Sequence, residues 1–157
     1  MEARKNAPVS ELDKLCTISI YSFTDMNVEG TFSNGVYGDD HVFRNLMSLL
    51  LLIEDCMNVV SYPKPMIKLR KMDSEDKAEF KSKSYLDGSG VDVPDDQIPQ
   101  AWQETSPLAT IKLKVVSRAM SGWQGEAQCV ETGKNIKFKS DIEFIMYMVE
   151  QAKAVQA

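Results

Sequence analysis

The sequence is short of the residues that most active sites use. It has one histidine, His41, and three widely spaced cysteines without a Cys-x-x-Cys pair. It contains no glycine-rich phosphate loop of the two common patterns and no Gly-x-Ser-x-Gly nucleophile elbow. A catalytic nucleophile needs a base within reach, and a zinc site needs three or four converging ligands. The sequence therefore predicts no enzyme, no metal site and no cofactor, and its cysteines are expected to be reduced and buried.

Positive charge and long apolar runs are also scarce. The net charge is -5, and the one basic stretch, Lys64 to Lys71, is followed at once by acidic residues. Affinity for nucleic acid depends on Lys and Arg clusters, so no nucleic-acid partner is expected. The longest mostly apolar run, Leu46 to Ile53, is far below the roughly 20 residues of a membrane-spanning helix. Met1 to Lys14 has no apolar signal-peptide core. We therefore expect no membrane partner and a cytoplasmic location.

What the sequence does contain is an internal similarity. With 157 residues, 43% hydrophobic and 26% charged, it has the size and composition of one folded domain. Residues 16–57 align with residues 109–152 with one two-residue gap, beyond which the offset is a constant 95 positions. The gapped alignment places Cys16 on Ala109. Beyond the gap, the identical pairs are Gly30 with Gly125, Gly38 with Gly133, and Phe43 with Phe138.

Local signals agree between the two stretches. Residues 16–20 and 109–113 alternate polar or small with apolar residues, which is typical of half-buried strands. Gly38-Asp39-Asp40 and Gly133-Lys134-Asn135 are turn sequences that would each close a hairpin. Asn45 and Ser140 are candidate N-caps, and Ser140 with Glu143 forms a capping box. Helices are therefore predicted to begin near Leu46 and Asp141.

These signals predict an α+β fold of two pseudo-symmetric strand-strand-strand-helix repeats. The antiparallel strands would form one continuous sheet or two facing sheets, with the two apolar helices packed together. The predicted parts are a polar arm (1–15), the first βββα unit (16–60), a connector (61–108) and the second βββα unit (109–157). Within the proline-rich connector, residues 66–70 alternate and are a candidate edge strand, and Trp102 is the single aromatic anchor of an acidic stretch expected to wrap the core.

Both predicted helices are apolar almost all round, which requires cover on more than one side. One side can lie on the sheet, and the other needs the second helix or another subunit. Because catalytic groups are missing, we expect a non-enzymatic protein-binding or adaptor module. The free side of the helices would be covered by a protein partner or by a second copy of the chain in a homodimer. The paired carboxylates Glu54-Asp55 and Asp95-Asp96 are interpreted as solvated surface charge.

The most individual tract is Ser121-Gly122-Trp123-Gln124-Gly125. Trp123 is either a stacking or partner-binding anchor or a cover for the sheet edge, with Gly125 at a bulge or close backbone approach. The candidate binding residues are Trp123, Gln124, Tyr37, Arg118 and Arg44.

Two other functions stay open from the sequence. One is a small-molecule sensor or carrier with a pocket between the repeats, lined by Trp123, Tyr21, Tyr37 and methionines. The other is an enzyme of unfamiliar type, which would need Arg44, Arg118, His41 or buried acids to meet in one cleft.

The C-terminal unit resembles a family of small uncharacterised proteins from clostridia-like Firmicutes. The family pattern reads Ser-Trp-Gln-Gly, a strand, and then Phe-Arg-Ser with Glu-Leu-Ile two residues on. Here residues 121–125 and 138–145 follow it, with Gly122 inserted, Lys139 in place of Arg and Phe144 in place of Leu. The resemblance implies a bacterial, cytoplasmic setting and supplies no catalytic residue.

Overall fold

The computed structural model describes residues 10–63, 65–66, 97–119 and 122–156. The strands are β1 (Cys16–Thr24), β2 (Asn27–Asn34), β3 (Gly38–Phe43), β4 (Pro65–Met66), β5 (Ala109–Ala119), β6 (Gln124–Cys129) and β7 (Asn135–Phe138). The helices are α1 (Leu46–Val60), the short α2 (Gln100–Gln103) and α3 (Asp141–Gln156). The mixture of antiparallel strands and helices confirms the expected α+β class.

Six strands form one continuous antiparallel sheet in the order β3-β2-β1-β5-β6-β7. The two halves of the chain join at the centre of the sheet, where β1 pairs with β5 and Thr17 lies opposite Lys112. Of the two arrangements that the sequence left open, the single sheet is therefore the one observed. Strand β4 pairs in parallel with the end of β5, at Arg118 and Ala119.

One face of this sheet carries the core. Alternate residues of the central strands are buried, such as Ile18 and Ile20 in β1 and Ile111 and Leu113 in β5. Helices α1 and α3 both contribute buried side chains to the same cluster, including Leu49, Leu52, Ile53, Phe144 and Met148. The intervening strand residues, among them Thr17, Ser19, Lys112 and Lys114, are only half-buried on the other face. The period-two pattern of the sequence thus correctly separated the two faces.

The predicted helix starts are confirmed. The Asn45 side chain accepts a hydrogen bond from Ser48 N (2.8 Å), and Ser140 Oγ accepts one from Glu143 N (3.2 Å). Glu143 Oε2 accepts a hydrogen bond from Lys139 N (2.8 Å), whereas in an ideal capping box it would accept one from the N-cap residue Ser140. These bonds satisfy amides in the first turn of each helix that have no partner within the helix.

The two hairpin turns differ in position. The second turn lies at residues 130–134 and includes Gly133 (φ +73°), as predicted. The first turn occupies residues 35–37, so Gly38 (φ +117°) begins β3 instead of lying inside the turn. The Asn34 side chain explains this shift, because its Oδ1 accepts hydrogen bonds from the backbone of Val36 and Tyr37 and tightens the turn.

Gly30 and Gly125 each lie where two strands approach closely. A Cβ atom on Gly30 would be 1.9 Å from Ser19 O, and one on Gly125 would be 2.2 Å from Lys114 O. In each case the residue opposite is a phenylalanine, Phe43 or Phe138, whose ring would lie 3.0 Å from that atom. Gly125 is therefore a close backbone approach, while the bulge falls on the neighbouring strand between Val115 and Ser117.

The described part of the connector contacts the sheet at several points, one of them through Trp102. Trp102 stacks on Tyr21 at 5.1 Å between ring centroids, with the two rings nearly parallel at 6°. The predicted anchor therefore contacts the first unit. Of the candidate edge strand 66–70, only Met66 is described, and it belongs to β4; residues 67–70 and the Asp95-Asp96 pair lie outside the described residues. Among the helices described, none is long and apolar enough to cross a membrane.

Candidate functional site

Helices α1 and α3 carry apolar side chains on the side that faces away from the sheet. Met47 is 63% exposed, Ile142 67% and Met146 66%. Half-buried Leu50, Leu51, Ile145 and Val149 lie beside them at helical spacing, and Leu50 and Val149 also pack against the core. We call these residues the outward rows: Met47, Leu50 and Leu51 on α1, and Ile142, Ile145, Met146 and Val149 on α3. An exposed apolar row on a helix whose opposite side is already buried is typical of an interaction surface.

Trp123 lies inside the structure and does not form an open platform. It is 3% exposed, and its indole Nε1 donates to Glu54 Oε1 on α1 (2.7 Å). Its backbone N donates to Asp141 Oδ1 (2.6 Å), which connects it to the start of α3. Trp123 therefore holds β6 to both helices, close to the covering role that was one of its two interpretations.

Arg118 joins the same cluster from β5. Its guanidinium donates to Glu54 Oε2 (3.1 Å), to Asn58 Oδ1 (2.9 Å) and, through Nε, to Pro63 O (2.5 Å). The side chain is only 5% exposed, and burial lowers the pKa of Arg118, while the charge of Glu54 acts in the opposite direction. Since an arginine keeps its proton at neutral pH, this is a buried cation matched by one carboxylate.

Gln124 has a local role next to this cluster. Its Oε1 accepts a hydrogen bond from Ala119 N (3.2 Å), and its Nε2 lies 3.3 Å from Lys139 O. The side chain thus connects the end of β5 to the segment before α3. These bonds use both ends of the amide within the protein, which leaves little capacity for a ligand.

Tyr37 occupies a separate position at the first hairpin. Its hydroxyl donates to Asp55 Oδ2 on α1 (2.8 Å), and its ring contacts the rings of Phe32 and His41. Burial, together with the bond to Asp55, raises the pKa of Tyr37 above its ordinary value. Asp55 is fully buried, so the interpretation of Glu54-Asp55 as solvated surface charge was wrong for this residue. The buried face of α1 continues past its apolar run and includes Asp55.

Arg44 lies elsewhere again, between β3 and α1. Its guanidinium is 5.5 Å from the Trp102 ring and 4.0 Å from Glu29 Oε2. The contact places a cation over the Trp102 ring of the Tyr21–Trp102 stack. Arg44 is therefore part of the attachment of the connector.

The sheet face opposite the helices has an open cleft of about 410 Å³. Its polar walls come from β5, β6 and β7: Lys112, Lys114, Glu126, Gln128, Asn135 and Lys137. Lys112 donates to Thr17 Oγ1 (3.1 Å), and Lys114 is bonded to Glu11. The bond to Lys114 lowers the pKa of Glu11 to about 2, and the same contact raises that of Lys114.

The structure thus brings together Trp123, Arg118 and Gln124, and separates them from Tyr37 and Arg44. Sequence reasoning missed Glu54 and Asn58, the partners that complete the first cluster. The one available signal was Glu54, a charged residue directly after the apolar run of α1. A charged residue in that position is as compatible with pairing to a buried group as with a place on the surface.

Within the described ranges, no three His, Cys, Asp or Glu side chains are grouped so as to hold a metal ion. Comparison with protein-family models, with curated proteins and with solved structures found no significant match to this chain.

Proposed function

We propose that this protein is a non-enzymatic protein-binding module that binds through the outward rows of α1 and α3. The observation that carries the proposal is the exposure of Met47, Ile142 and Met146, each above 60% on helices whose opposite sides are buried. Fully burying one such side chain contributes about 1.5–3 kcal/mol. Two rows of them supply more apolar surface than scattered exposed residues usually do.

The finer part of the proposal is that the two halves are diverged copies of one βββα unit. Equal strand registers support it, because partners in the first half recur 95 positions later in the second. The matching pairs are Cys16–Asn34 with Ile111–Cys129, Ile18–Phe32 with Leu113–Ala127, Ile20–Gly30 with Val115–Gly125, and Gly30–Phe43 with Gly125–Phe138. The two β-bulges are also 95 positions apart, at Ile20/Ser22 and at Val115/Ser117.

These registers favour an alignment without the two-residue gap that the sequence suggested. In the ungapped version Cys16 corresponds to Ile111 instead of Ala109. Thr17 and Lys112 are then equivalent positions, and they are also direct partners at the β1–β5 junction. An approximate two-fold axis would therefore pass between these two residues.

The partner that fits the outward rows is a second copy of the chain. Met47 and Ile142, Leu50 and Ile145, and Leu51 and Met146 are each 95 positions apart, so the surface would itself be nearly two-fold symmetric. Apolar rows can pack against the same rows of a second copy, because such packing needs no pairing of opposite charges. Closed two-fold dimers with self-complementary patches are the commonest soluble oligomers.

Sedimentation velocity over a range of concentrations tests this proposal with two surface variants and one control. Met47→Lys and Met146→Lys each place a charge in one row, and we expect both to convert a dimer to a folded monomer. Val130→Lys is the matched control, because Val130 is 56% exposed in the β6–β7 turn, away from the rows. A monomeric wild type, or equal dissociation by Val130→Lys, would contradict the proposal.

A second candidate function is binding of a small anion in the open cleft. The observation in its favour is three lysines, Lys112, Lys114 and Lys137, around a volume in the range of small-molecule sites, with Glu126 also in the wall and Lys114 bonded to Glu11. The pocket predicted between the repeats has less support, since Trp123, Tyr21 and Tyr37 contact different partners. Titration calorimetry with inorganic phosphate tests this candidate, with Lys137→Gln expected to weaken any binding.

We also propose a cytoplasmic setting and a relationship to the Firmicutes family that the C-terminal unit resembles. All three cysteines are free and buried, which fits a reducing compartment. A structure of any member of that family tests the relationship through its sheet order.

A further inference from the structure

Two of the three cysteines line the same small cavity between β1 and α1. Cys16, on the core face of β1, is 6% exposed, and Cys56, on the sheet side of α1, is 1% exposed. Both line a small cavity of about 10 Å³ near the surface. The sequence gives no sign of this pair, because 39 residues separate the two positions and no Cys-x-x-Cys motif is present.

The surroundings make the two thiols unequal. Asn34 Nδ2 lies 3.8 Å from Cys16 Sγ and is also bonded to the carbonyls of Asp13 and Leu15. A hydrogen bond from Cys56, assisted by Asn34, lowers the pKa of the Cys16 thiol. The same contact with Cys16, together with burial and the nearby Asp55, raises the pKa of Cys56. Asn34 can donate to a thiolate on Cys16, whereas the nearby Asp55 disfavours a thiolate on Cys56, so we take Cys16 as the attacking thiol of the pair.

We propose that Cys16 and Cys56 form a reversible disulfide when the protein meets a hydroperoxide. The Cys16 sulfur attacks one peroxide oxygen, the O–O bond breaks, and hydrogen peroxide leaves one water and a sulfenic acid on Cys16. The Cys56 sulfur then attacks that sulfur, the S–O bond breaks, and the departing oxygen takes up a proton as a second water. Two thiols and one peroxide thus become one disulfide and two waters, and an external dithiol reverses the change.

We expect so small an oxidant to reach the pair from the side of the N-terminal turn. The cavity is also lined by Asp13, Lys14 and Tyr62, and Lys14 Nζ lies 4.3 Å from the centre of the Tyr62 ring. The cavity itself has about the volume that one water needs.

Cys129 provides an internal control. It is fully buried in β6, and its thiol contacts Glu131 Oε2 at 3.7 Å. It belongs to the same core but does not line the cavity that Cys16 and Cys56 share. The proposal therefore expects its thiol to survive the treatment that oxidises the pair.

The test is to treat the folded wild-type protein with hydrogen peroxide, unfold it in N-ethylmaleimide, and measure intact mass and a non-reducing tryptic map. Cys16 and Cys56 fall on opposite sides of the tryptic site at Arg44. We expect the loss of two hydrogen atoms, a cross-linked peptide pair, and one maleimide, on Cys129. Dithiothreitol should restore three maleimides, and Cys129→Ser should still form the cross-link.

Two variants test the order of the steps. In Cys56→Ser, a sulfenic acid should persist on Cys16 and be trapped by dimedone, whereas Cys16→Ser should react much more slowly. Three alkylated cysteines after peroxide, a cross-link that includes Cys129, or oxidation of Cys16 beyond the sulfenic acid with Cys56 still free would each overturn the proposal. The wild-type map gives this answer even if a variant fails to fold.

Discussion

Replacing Gly30 or Gly125 by alanine should disrupt the sheet at two matching points. At Gly30 the new methyl group would lie 1.9 Å from Ser19 O, and at Gly125 it would lie 2.2 Å from Lys114 O. Both obstacles are backbone atoms of a neighbouring strand, and they cannot turn away as a flexible side chain would. The nearest ring atoms, on Phe43 and Phe138, would be at 3.0 Å, so the covering rings would also have to move.

The magnitude follows from these distances. An ordinary carbon–oxygen contact is longer by more than 1 Å, so each strand pair would have to separate by a distance that breaks its local hydrogen bonds. Overpacking a well-filled site costs about 1–3 kcal/mol and sometimes more, and the lost backbone bonds add to this. We therefore expect a loss of roughly 3 kcal/mol in the free energy of unfolding for each variant, with the larger loss for Gly30→Ala.

Urea unfolding followed by circular dichroism measures this loss. Gly35→Ala is the matched control, because a Cβ atom there would meet nothing within 4 Å. Its free energy of unfolding should stay within about 0.5 kcal/mol of the wild type, as for ordinary surface changes. If Gly30→Ala or Gly125→Ala were as mild as Gly35→Ala, the close approach described for these strands would be refuted.

Three further predictions concern the polar contacts. Glu54→Ala removes the acceptor of buried Trp123 and Arg118, and should cost about 2 kcal/mol in the urea assay, a value reduced because Glu54 is itself 36% exposed. Asn45→Ala removes the N-cap of α1 and should cost about 1 kcal/mol in the same assay. Burial raises the pKa of Tyr147 from its ordinary 10.0 to about 12, so its contribution to stability is present below pH 10 and is lost as pH rises toward 12. The urea midpoint should therefore fall across this range, and less steeply in Tyr147→Phe.

Each of these has its own control. Glu150→Ala breaks an exposed ion pair with Lys134 and should change stability by less than about 1 kcal/mol, so an equal effect from Glu54→Ala would contradict the buried cluster. Asn45→Ala should lower the helix content at the start of α1, whereas Asn58→Ala, near the other end of the helix, should not. Equal helix content there in both variants would contradict the N-cap role of Asn45. If the urea midpoint falls with rising pH as steeply in Tyr147→Phe as in the wild type, groups other than Tyr147 cause the loss of stability.

The sequence predicted the parts of the fold that depend on local patterns. Alternation identified both central strands, and Asn45 and Ser140 identified the helix starts, because capping is decided within a few residues. The first turn was placed too late because the Asn34 side chain, which shapes it, lies outside the turn motif. The α+β class followed from these elements.

The site was predicted less well, because its contacts join distant segments. Arg118 and Trp123 were named as candidate binding residues, but their meeting at Glu54 depends on how α1 crosses the sheet, which no local pattern encodes. The burial of Asp55 and the cavity that Cys16 and Cys56 share were missed for the same reason. The exposed apolar rows were the exception, since the sequence already contained more apolar helix surface than one sheet can cover.

Native mass spectrometry of the protein purified from its own host tests the binding proposal most directly, because it reports oligomeric state and retained ligands together. The account predicts a species with twice the chain mass that dissociates when Met146 is replaced by lysine. A monomer at every concentration, either bare or carrying a small adduct, would contradict it.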